Sequence, residues 1–214
     1  MKKPDIKWFT ILTICCVFSW TVASGQIVAS ETASGSAVAI FPACMTPLSG
    51  VSGTFAPSMP VTIGSGLTNF ATVSADLYRG AQPTAEGFVM LKKLGIKTVV
   101  NLRAFHDDAK LMEGSGLAYF HITFEPWAPN MDEVIQFLKI VSDPKNRPVF
   151  VHCQHGADRT GTMVAIYRMV MQDWTFKQAL DELPNFGFHR IWSNLKTFIS
   201  SLDIRTIKDR VQQR

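Results

Sequence analysis

Cys153 and Arg159 are separated by Gln154-His155-Gly156-Ala157-Asp158, and that spacing suits one kind of chemistry. A phosphoryl group spreads negative charge over several oxygens and needs donors from several sides. A short loop running into a helix N-terminus supplies converging backbone N–H groups and the positive end of the helix dipole. Arg159 adds a planar fork that grips two oxygens at once. In the same positive field the Cys153 thiolate, which is the nucleophile, is favoured. Gly156 suits a sharp turn or a close approach of backbone to ligand. Thr160 is placed to cap the next helix or to donate to the Cys153 sulfur when it leaves. Gly161 lets the helix start pack closely. Gln154, His155, Gly156, Ala157 and Gly161 are therefore the expected substrate-binding positions.

The flanking residues supply the positioning elements. Pro148-Val149-Phe150-Val151 is an apolar run that reads as a buried central strand. A helix is expected over 160–171. Upstream, Leu77-Tyr78-Arg79 reads as a short strand, and 84–94 as a helix that stops at Gly95. Residues 96–102 and 117–122 read as strands, with a short helix over 107–114 between them. Asn130 and Glu133 form a capping-box pattern for a helix through Val141. Thr175 and Gln178 start another, ending before Pro184, and 191–211 carry one or two more. Strands alternate with helices, so the expected fold is α/β with a mainly parallel central sheet flanked by helices. Ligands in such sheets bind beyond the carboxyl ends of the strands, where the loop after Val151 lies.

Two blander readings compete. Cys153 can be a buried cysteine in a strand–helix turn, with Arg159 on the surface. His152, Cys153 and His155 can be zinc ligands, but neighbours on a strand point to opposite faces, and there is no second Cys/His cluster in the chain.

His152-Cys153-x-x-Gly156-x-Asp158-Arg159-Thr160-Gly161 resembles the signature of the cysteine-dependent protein tyrosine phosphatase superfamily. Three further stretches resemble its compact bacterial dual-specificity-like branch: 77–83 (Leu-Tyr-Arg-Gly-Ala-Gln-Pro), 98–103, and Phe188-His189-x-x-Trp192-x-Asn194-Leu195. The resemblance implies a two-step phosphomonoester hydrolysis through a phosphocysteine intermediate, with no metal or other cofactor. It implies that His152 helps hold the thiolate. Arg79, Gln82 and Arg103 are candidates to frame the pocket, and His189 lies at its edge or at a helix start on the surface. Trp174 and Trp192 read as core residues.

The proton donor to the leaving oxygen stays open. The superfamily usually places an aspartate on a loop before the cysteine, and here that slot falls near Trp127, which cannot donate a proton. Asp158 inside the loop, Glu125 and Asp132 are the candidates. Asp132 also suits the first turn of a helix, where the dipole favours an acid.

The 214 residues are 47% hydrophobic and carry a formal charge of +4, part of it on Lys2, Lys3 and Lys7. That fits one domain plus an appendage, and no basic tract interleaved with aromatics suggests nucleic acid. Residues 1–25 read as a signal peptide, or as an anchor if the apolar run 8–23 is retained. Residues 26–70, rich in Ser, Gly, Ala, Thr and Pro, read as a flexible linker ahead of a phosphatase domain over 71–214. An exported, monomeric enzyme is expected, touching a membrane only through that anchor. Cys44 and Cys153 then share an oxidising compartment in which they can pair. The five loop residues carry no lysine, which favours phosphotyrosine or phosphoserine/threonine proteins over inositol phosphates. A fold that binds phosphate without turnover is the alternative outside enzymes.

Overall fold

The computed structural model describes residues 56–213. The leader, the linker up to residue 55 and Cys44 lie outside the described residues.

Six strands form one sheet: β1 (Val61–Ile63), β2 (Leu67–Ser74), β3 (Leu77–Gly80), β4 (Thr98–Asn101), β5 (Ala118–His121) and β6 (Val149–His152). Their order is β1-β2-β3-β6-β4-β5. The pairs β3–β6, β6–β4 and β4–β5 are parallel, while β1 and β2 add antiparallel at one edge. Helices α1 (Ala85–Lys93), α2 (Met131–Ser142), α3 (Asp158–Met171), α4 (Phe176–Glu182), α5 (Ser193–Ser201) and α6 (Ile204–Gln212) complete the domain. This is the expected α/β architecture with a mainly parallel sheet.

β6 sits between two parallel neighbours and is buried along its whole length, as its unbroken apolar run requires. Its alternating side chains serve two cores. Val149, Val151 and the following Cys153 join the core built with α2, α3 and α5. Phe150 joins a second core with Phe70, Phe88 and Leu91. The helices begin at caps visible in the sequence. Thr84 accepts from the Gly87 N–H, and capping boxes form at Asn130/Glu133 and Thr175/Gln178.

Three expectations change. The linker expected over 26–70 does not extend to residue 70, because β1 and the start of β2 lie within it. Leu67 and Phe70 are 1% and 6% exposed against Phe88 and Phe150, a burial that the surrounding glycines and hydroxyl residues hide. Residues 107–114 form turns rather than a helix. There the Asp108 side chain is drawn inward to His152 and Gln82. Helix α3 starts at Asp158, so Thr160 lies inside its first turn and is not its cap.

Candidate active site

The loop 153–157 leaves β6 and enters α3 with Cys153 at its floor, 2% exposed. Gly156 has φ +70, a left-handed conformation that glycine adopts without strain. It also sits against β3: a Cβ at Gly156 would lie 2.5 Å from the Gly80 carbonyl group. The first N–H groups of α3 have no partner within the helix and lie at the loop exit beside Arg159. A helix N-terminus at this point is what the spacing predicted. Thr160 is fully buried and its hydroxyl has no hydrogen-bond partner among the described residues. The capping role falls away, and the hydroxyl stands one residue after Arg159.

A shell of side chains holds the loop. Arg79, fully buried in β3, donates from Nη2 to the Gly156 carbonyl at 2.8 Å and lies 3.5 Å over the Phe186 ring. Burial pushes its guanidinium down to about 10, with Glu182 and Cys153 opposing, so it remains a cation at neutral pH. The Gln82 backbone N–H donates to the Gln154 carbonyl, and its side-chain oxygen accepts from Arg103 at 3.1 Å. Burial and the nearby charge of Arg159 pull Arg103 below its ordinary value, while Asp108 and Cys153 oppose. Arg79, Gln82 and Arg103 thus brace the pocket.

Sequence reasoning missed two members of this shell. Asp108 is fully buried, with Oδ2 2.9 Å from His152 Nε2 and Oδ1 accepting from Gln82 at 2.7 Å. The His152 contact has ion-pair distance, but its ring N–H is not well aligned on the carboxylate. Burial works against the Asp108 charge; His152, Gln82 and His106 outweigh it and hold the carboxyl below its ordinary value. His152 Nδ1 lies 3.4 Å from the Cys153 carbonyl oxygen, so Asp108 orients the loop through this ring. Asn69, on the strand hidden in the expected linker, donates to the carbonyls of His155 and Phe186. A lone aspartate in a turn and a lone asparagine among hydroxyl residues carry no local signal of such roles.

Beside the segment 153–159 opens a cleft of about 300 Å³. Gln154, His155, Asp158 and Arg159 line it together with Pro126, His189, Ile191 and Trp192. Trp192 is therefore partly a wall of the pocket, whereas Trp174 is core, 5% exposed under Arg168. His189 belongs to the pocket as well. Both oxygens of Asp158 face it: Oδ1 accepts from the His189 backbone N–H at 2.7 Å, and Oδ2 lies 2.8 Å from its ring Nδ1. Asp132 is turned away, paired with Arg210 at 2.7 Å at the start of α2. Glu125 is half-buried on the loop before Pro126, whose carbonyl Asn194 holds at 2.6 Å. Exposed Phe105 and Trp127 stack at 6.4 Å, Trp127 being the residue after Pro126.

A buried thiol in a loop that runs into a helix N-terminus, with a buried arginine bonded to that loop, is the arrangement expected of a cysteine-dependent phosphatase. The chain belongs to the dual-specificity protein tyrosine phosphatase family: the family described as "DSP-PTPase phosphatase fused to NAD+ Kinase" matches residues 60–197. The dual specificity protein phosphatase TpbA of Pseudomonas aeruginosa is 29% identical over 192 residues, covering 88% of this chain and 77% of that one. Its crystal structure superposes with a TM-score of 0.65 at 26% identity, over 74% of this chain and 98% of that one. The probable tyrosine-protein phosphatase DG1060 of Dictyostelium discoideum is 32% identical over 145 residues, 63% of this chain and 86% of its own. The inositol diphosphatase DSP3 of Arabidopsis thaliana is 29% identical over 150 residues, 66% of this chain and 73% of its own.

Proposed function

We propose that this phosphatase hydrolyses phosphotyrosine, and phosphoserine or phosphothreonine of proteins, through a phosphocysteine intermediate. The observation that carries the reading is buried Cys153 at the start of the segment whose Gln154, His155, Asp158 and Arg159 line the cleft. The thiolate attacks phosphorus, forming the P–S bond as the P–O bond to the leaving group breaks. The leaving oxygen takes a proton from the Asp158–His189 pair. Water then gives a proton back to the Asp158–His189 pair as it attacks the phosphocysteine; the P–S bond breaks, phosphate leaves, and the departing sulfur is met by the Thr160 hydroxyl. Asp108 and Arg79 act by holding the loop.

Two features support an aromatic substrate over an inositol phosphate. The cleft is rimmed by Ile191, Trp192 and Pro126, with the Phe105–Trp127 stack beside it. The loop itself contributes no lysine to a multiply phosphorylated ring. The leader-like residues 1–25 support placing this activity outside the cytoplasm, which fractionation of cells expressing the full chain tests.

An aryl phosphate should be turned over in the presence of a chelator, and Cys153→Ser should abolish this. No turnover by the reduced wild type would overturn the enzyme reading in favour of phosphate binding alone. Asp158→Asn should reduce turnover more on an alkyl than on an aryl phosphate, because aryl leaving groups need less protonation. Equal losses would remove Asp158 from the proton path.

A further inference from the structure

We propose that His155, Asp158 and His189 form a zinc-binding site at the mouth of the cleft. One candidate ligand atom from each residue lies within 4.8 Å of the others. Two imidazoles and a carboxylate are a donor set suited to zinc. These three are distinct from His152 and Cys153, since His152 points away to Asp108.

The Asp158–His189 half of the site is already assembled. Its N and O atoms are 2.8 Å apart. Around a tetrahedral zinc with bonds of about 2.0–2.1 Å, neighbouring ligand atoms sit about 3.3 Å apart. Replacing the shared proton by the ion therefore opens this pair by only about 0.5 Å. The other Asp158 oxygen stays on the His189 backbone N–H at 2.7 Å, which fixes the carboxylate plane. His155 must move in by up to roughly 1.5 Å to reach bonding distance. It is exposed, its ring centroid is 5.7 Å from that of His189, and nothing in the loop's brace depends on its side chain.

Three protein ligands leave a fourth position open. It faces the cleft lined by Gln154 and Arg159, where water or a phosphate oxygen can fill it. Zinc there displaces the proton between Asp158 and His189 and ties the loop to the 187–192 segment. The binding site stands independently of the proposed reaction.

The test uses the full chain carrying Cys153→Ser, with remaining thiols alkylated so that no sulfur can hold the ion. Zinc affinity is read by competition with a chromophoric chelator. One equivalent should bind, and His189→Ala or His155→Ala in that background should each weaken binding tenfold or more. Cobalt in place of zinc should give the intense visible bands of a four-coordinate ion, lost in both variants. Unfolding temperatures of the variants identify any that fail to fold, and for those His189→Asn replaces the alanine. No stoichiometric binding by the Cys153→Ser protein, or unchanged affinity in a folded His189 variant, would overturn the site. Absence of aryl phosphate turnover in the wild type would instead overturn the phosphatase reading and leave the affinity result standing.

Discussion

Gly156→Ala probes the loop at the point where it touches the sheet. An added Cβ lies 2.5 Å from both atoms of the Gly80 carbonyl and 2.7 Å from the Ala81 nitrogen. Reaching an ordinary contact of 3.4 Å means a retreat of 3.4 − 2.5 = 0.9 Å. That retreat pulls Gly156 away from Arg79, now at 2.8 Å, and loosens the Gln82–Gln154 backbone bond of 3.2 Å. Placing alanine at positive φ costs about 1–2 kcal/mol, and overpacking a tight contact costs about 1–3 kcal/mol. The combined loss is about 2–5 kcal/mol, or roughly 4–20 °C in Tm for a domain of this size. A catalytic loop displaced by about 1 Å loses on the order of 100-fold in rate. Thermal unfolding and kcat/KM on an aryl phosphate should therefore fall together. A variant with a Tm within about 2 °C of wild type and undiminished turnover would refute the view that the Gly80 contact sets the loop.

Two other perturbations separate fold from site. Arg168 and Glu182 are 3% and 2% exposed and meet at 2.6 Å, with Ser58 hydrogen-bonded to both. Glu182→Ala strands a buried guanidinium and should lower unfolding free energy by about 3–5 kcal/mol in denaturant titrations; a loss below about 1 kcal/mol would show the pair to be solvated. Asp108→Asn should cost about 1–3 kcal/mol and reduce aryl phosphate turnover by releasing His152. Because the native Asp108 carboxyl lies below its ordinary value of 3.8, its stabilisation is complete above that pH and is lost as pH falls through the native value. The stability gap between wild type and Asp108→Asn should thus be constant near pH 6 and close below about pH 4; a gap that widens on acidification would contradict a lowered Asp108 carboxyl.

The sequence by itself determined the reaction class. Cys153, Arg159 and the glycines between strand and helix act through local geometry, so their spacing encodes the cradle directly. The caps at Thr84, Asn130 and Thr175 were legible for the same reason, since a capping side chain reaches only two or three residues. Tertiary structure decided what surrounds the cradle. Asp108 reaches His152 across 44 residues of sequence, and Asn69 reaches the loop across 86, as 152 − 108 and 155 − 69 show. Such contacts exist only once β6 is seated between β3 and β4, so no window of sequence announces them. The role of Asp158 shows the same division. Its place in the loop was evident from the chain, but its partner, His189, arrives from the far side of α3 and α4. Only the folded chain brings them into contact.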